Sequence, residues 1–448
     1  MDKIKEILKI ANENKVEFIR LQFTDILGNM KNQNITITQL ESALNNEKSF
    51  DGSSIDGFAR IEESDMYLYP DLDTFMVLPK RLSGDVSEAR IICDIYTSDR
   101  KPFEGDPRYI LKKSLNEAKK LGYEMMVGPE LEFFLFPLDE NGYPKLNVND
   151  LASYYDLSTR DIGHLAKRDM CLALTEIGIE VESAIHECAP GQHEINFKYG
   201  EALKSADNIM TYKYVVKEIA LQHGYYATFM PKPIKGVAGS GMHMNLSLFK
   251  GKDNIFEDKT DKFGLSKKAY EFIAGILKHA KGLTVITNRT INSYKRLVPG
   301  HEAPTYITWA AKNRSPMIRI PAAEGKRTRI EMRNPDPTCN PYLALAAILS
   351  SGLDGINNKL TPPKSVDCNI YDLPEEEILK RNIELLPENL NEALKYMLED
   401  EVVKKSLGDH VVNCIKNIVE TEWDNYRTEI SLYELRQTFG QNIKIVKD

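Results

Sequence analysis

Met126-Val127-Gly128-Pro129-Glu130-Leu131-Glu132-Phe133-Phe134-Leu135-Phe136 constrains this chain more than any other stretch. Its apolar and aromatic residues predict a buried strand, where alternate side chains share a face, so Glu130 and Glu132 project together. Two carboxylates side by side in an apolar strand repel each other, and burial makes that costly unless a positive charge lies between them. A divalent cation meets the requirement. Two solvated glutamates on an edge strand are the alternative.

A length of 448 residues exceeds one ordinary core and predicts two domains, one of them large. Apolar residues at 42% and charged residues at 28% describe a soluble globular chain without a run long enough to span a membrane. The N-terminus lacks a signal-peptide shape: Ile4, Ile7, Leu8 and Ala11 interleave with Lys and Glu as an amphipathic helix, and a cytosolic protein is expected. A net charge of −8 argues against nucleic-acid partners, so a polyanion must be small and met locally. Cys93, Cys171, Cys188, Cys339, Cys368 and Cys414 form no C-x-x-C pair and are expected as free thiols. Cys188 beside Glu187 is expected as a small core residue.

Residues 1–100 predict a small mixed unit with strands at Val16–Phe23, Met76–Leu78 and Arg90–Cys93 and a turn at Asp51-Gly52-Ser53-Ser54. Two prolines and a glycine between Asp99 and Pro107 mark a linker, placed at 101–106, before a large domain at 107–448. That domain opens with a helix from Pro107 to a stop at Gly122. Helices are also expected at Asp161–Gly178 and Ser205–Gly224. A glycine-rich turn, Gly236 to Gly241, precedes a strand at Met242–Phe249, and the last third is mostly helical.

The glycine turn lacks the Gly-Lys-Ser/Thr of a phosphate-binding Walker loop, so it predicts close main-chain approach to a small ligand instead. In the strand after it, His243, Asn245 and Ser247 share one face; such a histidine is a ligand or a hydrogen-bonded structural residue. Arg329, Glu331 and Arg333 likewise alternate, with Arg314, Arg319, Lys326 and Arg327 upstream. An ordinary ion-pair network is the bland reading. Glutamates and one histidine beside a basic cluster suit oxygen-loving cations that hold a polyphosphate: magnesium, with manganese as a substitute, better than zinc.

These motifs are specific in combination. Phe50-Asp51-Gly52-Ser53-Ser54, Pro129-Glu130-Leu131-Glu132, Glu187 with Gly191-Gln192-His193-Glu194, Gly239-Ser240-Gly241-Met242-His243, Pro299 to Pro304, Asn313-Arg314-Ser315 and Arg329 to Asp336 occur in order over nearly the whole chain. The chain resembles the glutamine synthetase family, of the type I, alpha-subclass-like kind of bacteria and archaea. The resemblance implies an α+β fold: a small N-terminal β-grasp domain and a large catalytic domain with a curved antiparallel sheet flanked by helices. It implies ATP-dependent ligation of ammonia to glutamate through an acyl phosphate.

The residues follow from the same resemblance. One cation would be held by Glu132, Glu187 and Glu194, and a second by Glu130, His243 and Glu331. ATP contacts fall on Ser53, Glu182, Ser247, Arg314, Arg319 and Lys326, and glutamate contacts on Gly239, Arg296, Glu302, Arg314 and Arg333. Catalytic roles fall on Asp51, Glu302, Arg314 and Arg333, with Asp51 and Ser53 supplied by a neighbouring subunit and Glu302 on a lid. A dodecamer of two hexameric rings with shared sites is implied, and some relatives answer to a PII-type regulator. Arg60 resembles an arginine that senses product glutamine, while Tyr371 lies in the segment adenylylated in another subclass. Ala238, where many relatives carry Asn, leaves open an amine other than ammonia; a non-catalytic scaffold of the same family is the remaining alternative.

Overall fold

The computed structural model describes residues 3–55, 57, 65–148, 150–157, 159–300, 303–311 and 313–439. Six short strands form the N-terminal sheet: β1 (Phe18–Thr24), β2 (Met30–Thr36), β3 (Ser49–Asp51), β4 (Asp65–Pro70), β5 (Met76–Val77) and β6 (Glu88–Tyr96), in the order β2-β1-β6-β4-β3 with β5 also on β6. β1 and β6 run parallel at the centre, and the other pairs are antiparallel. The helix Lys3–Glu13 turns Ile7 and Ala11 inward, and these join Ile19, Leu21, Leu68 and Ile91 in a core of their own. This is the β-grasp arrangement the resemblance implies. Its edge strand β3 carries Asp51.

A buried charge cluster joins this unit to the rest. Asp106 caps the helix Pro107–Lys120 by accepting from the Arg108 N–H at 2.9 Å, and its other oxygen accepts from the Ile95 N–H of β6 at 3.0 Å. Arg108 reaches Asp71 and Asp94 of the N-terminal sheet at 2.7 Å each, and Asp207 of a catalytic-side helix at 2.9 Å. Tyr342 donates to Asp207 at 2.7 Å. One guanidinium thus serves three carboxylates across the junction.

Ten strands form the second sheet: β7 (Glu124–Pro137), β8 (Val181–His186), β9 (Gln192–Phe197), β10 (Gly200–Glu201), β11 (Tyr225–Thr228), β12 (Met242–Lys250), β13 (Asp253–Asn254), β14 (Tyr306–Ala310), β15 (Pro316–Arg319) and β16 (Ile330–Met332). The path runs β14-β15-β16-β12-β7-β9-β8, with β10 and β11 on β7 and β13 on β12. Each pairing is antiparallel except β14 with β15. Leu131, Phe133, Met242, Met244 and Leu246 belong to the main apolar core with residues of the helices Ala202–Gln222, Lys267–Lys278 and Pro341–Asn357. The last is apolar nearly all round, as a helix buried within a large core must be. It meets the helix Lys267–Lys278 backbone to backbone: a Cβ at Gly355 would lie 2.0 Å from the Glu271 carbonyl oxygen.

Local expectations shift at their ends. The helix expected from Asp161 begins at His164, because the Asp161 side chain accepts from the Gly163 N–H at 2.9 Å and closes a turn first. Cys188 is exposed, not a core residue, since the connection between β8 and β9 lifts it out of the sheet; all six cysteines are thiols outside any disulfide.

Replacing Arg108 by Ala takes the ion-pair partner from buried Asp207 and leaves Asp71 and Asp94 only Lys112, which lies 2.5 Å from Asp94 and 3.9 Å from Asp71. Urea unfolding is expected to show a loss of about 3–5 kcal/mol; a loss below about 1 kcal/mol would remove the cluster from its structural role.

Candidate active site

Cross-strand register assembles the charged residues on one face of the large sheet. His243 lies opposite Glu130, Glu132 opposite Glu194, and Glu331 is flanked by Asn245 on one side and Arg319 on the other. Directly opposed residues share a face, so the period of two read along each strand becomes a patch across five of them. Glu187 follows the end of β8 and completes the group.

Glu130, His243 and Glu331 offer ligand atoms within 4.8 Å of one another. His243 Nδ1 lies 3.4 Å from Glu130 Oε2 and 3.7 Å from Glu331 Oε1, and its Nε2 lies 3.9 Å from Glu132 Oε1. The imidazole therefore stands between the two glutamate groups. Glu132 has one oxygen fully engaged: Oε2 accepts from Gln192 Nε2 at 2.9 Å and from the Gly241 N–H at 3.0 Å. Its Oε1 faces His243. Glu194 accepts from the Asn196 amide at 2.6 Å.

Burial and the charge of Glu187 push Glu132 up to about 8, and burial with the charges of Glu132 and Glu130 pushes Glu194 up to about 8. Burial also opposes the charge of Glu130, but hydrogen bonds from His243 and Asn245 outweigh it and bring that group down to about 2. Burial and nearby Arg333 hold His243 below its ordinary value, so at neutral pH the ring keeps a lone pair for a cation. Glu132 and Glu194, crowded oxygen donors whose ionisation is opposed by burial and neighbouring carboxylates, fit divalent cations of the magnesium class.

The basic residues lie alongside. Arg333 Nη1 donates to Glu331 Oε1 at 2.6 Å and Arg319 Nε donates to Oε2. Arg329 Nε donates to Asn245 Oδ1 at 2.8 Å, and Asn245 Nδ2 donates to Glu130 Oε1 at 2.9 Å. Next to Glu130 opens a cavity of about 390 Å³ lined by Glu182, Tyr199, Asn245, Ser247, Lys326 and Arg329 among others. That volume suits a nucleotide-sized ligand. Tyr199 carried no signal in the sequence, because an aromatic in a short connection looks like any surface tyrosine.

Of the other expected residues, Arg296 and Gly239 adjoin this group, Arg296 beside Gly241 and Glu132, and Gly239 through the Gln192 amide that also holds Glu132. Arg296 is buried, its Nη1 donating to the Asn334 carbonyl at 2.8 Å and its Nη2 to the Arg333 carbonyl at 3.1 Å, so it braces the chain after β16. Gly239 accepts from Gln192 Nε2 at 3.2 Å, and a Cβ there would meet the Pro231 carbonyl oxygen at 2.1 Å. Arg314 is exposed and hydrogen bonds to Tyr154. Asp51, on the edge of the N-terminal sheet, accepts from the Ser53 N–H at 2.8 Å, and neither residue lines the cavity of its own chain. Glu302 and Arg60 lie outside the described residues.

Two family models cover this arrangement: residues 15–98 match the glutamine synthetase beta-Grasp domain and residues 104–438 the glutamine synthetase catalytic domain. The chain belongs to the glutamine synthetase family. Glutamine synthetase of Clostridium saccharobutylicum is 57% identical over 432 residues, covering 96% of this chain and 97% of that one. Glutamine synthetase of Staphylococcus aureus (strain MRSA252) is 54% identical, covering 97% and 98%. Among solved structures, a GmaS/ADP complex superposes with a TM-score of 0.88 at 33% identity, covering 97% of this chain and 99% of that one. A Plasmodium falciparum glutamine synthetase determined by cryoEM superposes with a TM-score of 0.86 at 27% identity, covering 97% and 98%. The glutamate face described above falls wholly within the residues matched to the family's catalytic domain.

Because Glu132 and Glu194 hold protons well above the usual carboxylate range, a cation must displace them. Mn²⁺ affinity is therefore expected to rise with pH up to about 8, by about tenfold per unit for each proton displaced. Calorimetry in buffers of different ionisation enthalpy should register proton release; a flat affinity without released protons would contradict this.

Proposed function

We propose that this chain ligates ammonia to the side-chain carboxylate of L-glutamate at the expense of ATP, through γ-glutamyl phosphate, yielding glutamine, ADP and phosphate. The observation that carries this is the continuity of the carboxylate and imidazole face with a nucleotide-sized cavity lined by Lys326 and Arg329. A relative in the same fold has been captured as an ADP complex, which supports the nucleotide reading. Type I membership with alpha-subclass character is part of the same proposal.

Glu132, Glu187 and Glu194 would hold one divalent cation and Glu130, His243 and Glu331 another, magnesium first and manganese as a substitute. Such cations supply charge neutralisation for the polyphosphate when bound. Glu182, Ser247 and Lys326 contact ATP, with the Tyr199 ring available to stack on the base. A carboxylate is a poor acylating agent, and transfer of the γ-phosphoryl group to glutamate converts it into an activated acyl group. Arg314, Arg319 and Arg333 offer N–H groups to the moving phosphoryl group and to glutamate, preorganised stabilisation of the kind that dominates such reactions. Gly239 supplies main-chain contact with glutamate, and Arg296 acts by bracing Arg333. Ammonium becomes a nucleophile on losing a proton to Asp51, with Glu302 lending negative charge and excluding water.

Asp51 and Ser53 act in the site of a neighbouring subunit, within a dodecamer of two stacked hexameric rings. The exposure of Asp51 at the sheet edge supports this. Among the described residues no helix is long and apolar enough to cross a membrane; a cytoplasmic location is part of the same proposal. Feedback by glutamine through Arg60 and control by a PII-type protein extend the resemblance. Adenylylation at Tyr371 is disfavoured, because its hydroxyl donates to the Ala303 carbonyl at 2.9 Å. One observation favours a second reading, a glutamate ligase for small amines: Ala238 packs against an apolar cluster of Phe134, Phe136 and Ala189 and offers no polar group.

Phosphate release from ATP that requires both glutamate and ammonia tests the proposal, with methylamine and hydroxylamine as competing acceptors. Turnover with methylamine exceeding that with ammonia would select the second reading. Glu331→Ala and Asp51→Ala are each expected to lower glutamine formation by about 10²–10³-fold or more, the second with ATP binding retained. Parental rates in either variant would remove the role assigned to that residue.

A further inference from the structure

Flanking the connection that carries Glu187 is a buried trio, Asp150, His186 and His193, whose ligand atoms also fall within 4.8 Å of one another. Its hydrogen bonding argues against a cation there. His186 Nδ1 lies 2.7 Å from the Glu187 carbonyl oxygen, which can only accept, so Nδ1 carries a hydrogen. His186 Nε2 lies 2.7 Å from Asp150 Oδ2. That carboxylate already receives the Gly191 N–H on Oδ2 at 2.7 Å and the Ala152 N–H on Oδ1 at 3.0 Å, so it is the ionised acceptor and Nε2 donates as well. No lone pair remains on the His186 ring. The Lys167 ammonium, bonded to Asp161 at 2.7 Å, lies 3.5 Å from His193 Nδ1 and would repel a metal ion.

We propose that Asp150 is a positioning residue for the first cation group, Glu132, Glu187 and Glu194; this rests on the ligand reading above. Asp150 comes from the long excursion between β7 and the helix at His164, and its carboxylate grips both legs of the β8–β9 connection, at His186 and at Gly191. His186 passes that hold to the Glu187 carbonyl, while the Glu187 N–H donates to the Gln192 carbonyl at 2.8 Å. Gln192 in turn bonds the Glu132 side chain and the Gly239 carbonyl. Gly191 has a φ of +71°, and a Cβ there would meet Val148 Cγ1 at 2.9 Å and the Leu135 carbonyl oxygen at 3.0 Å, so the turn is seated directly on the excursion. A displaced Asp150 therefore moves ligands it does not touch. Outer groups that orient ligands are worth about 10–100-fold in metal affinity.

The test is Asp150→Asn, which keeps the shape and removes the charge that His186 requires. Mn²⁺ titration followed by electron paramagnetic resonance is expected to show binding weakened about 10–100-fold. The activation constant for Mg²⁺ should rise in parallel, with kcat at saturating metal and the KM for ATP held near parental values. Circular dichroism establishes that the variant is folded; should it not fold, His186→Gln, which keeps one donor, is expected to weaken Mn²⁺ binding in the same direction. Mn²⁺ affinity within threefold of the parent, or a loss of kcat that no metal concentration restores, would overturn the proposal. Loss of bound Zn²⁺ with Mn²⁺ affinity unchanged would also overturn it, making the trio a cation site in its own right. Glu187→Gln and Glu194→Gln test the ligand reading separately: parental Mn²⁺ affinity in both would fail that reading whatever Asp150 does.

Discussion

Repulsion among buried carboxylates organises this molecule. Glu130, Glu132, Glu194 and Glu331 share one region of one sheet face with Glu187 just beyond β8, and of the four on the face only Glu331 is paired directly with guanidinium groups. Arg319 and Arg333 take the two oxygens of Glu331, the Gln192 amide and the Gly241 N–H take one oxygen of Glu132, and Asn196 and Asn245 donate to Glu194 and Glu130. The charge that Glu132 and Glu194 would carry on ionising is what attracts a divalent cation, and burial keeps the interaction strong by limiting water. A surface cluster of the same residues would be screened and unselective.

The scaffold must withstand that stored repulsion. The large apolar core beneath the sheet, and helices close enough to touch through Gly355, leave the strands little room to slide. A register change of β7 by a single residue would turn Glu130 and Glu132 toward the core, so the cost of a slip reinforces the site. At the domain junction the same logic recurs, with Arg108 shared by Asp71, Asp94 and Asp207. That junction fixes the small sheet and with it the edge from which Asp51 is offered.

Much of this was legible in the residues. The Glu130/Glu132 pair, the His243-Asn245-Ser247 stripe and the Arg329-Glu331-Arg333 stripe follow from strand alternation, and the family motifs ordered them along the chain. Cys188 and Arg296 were less so. A cysteine is a small residue commonly found inside until a turn exposes it, and an arginine expected to contact glutamate gives no hint that it also donates to backbone carbonyls three dozen residues later. Asp150 sits in a segment without periodicity, where sequence offers turn chemistry and little else.

Which side chains share a face of their own strand is a local property, set by backbone geometry two residues at a time, and the sequence determined it unaided. Which strands become neighbours, and in what register, is decided by long-range packing. Glu130 meets His243 from 113 positions away because β12 docks against β7 at one alignment, and Asp150 reaches Gly191 because the excursion folds back on the sheet. Contacts of that span depend on the loop-closure entropy and core burial of the whole chain, so only the tertiary structure could bring them about.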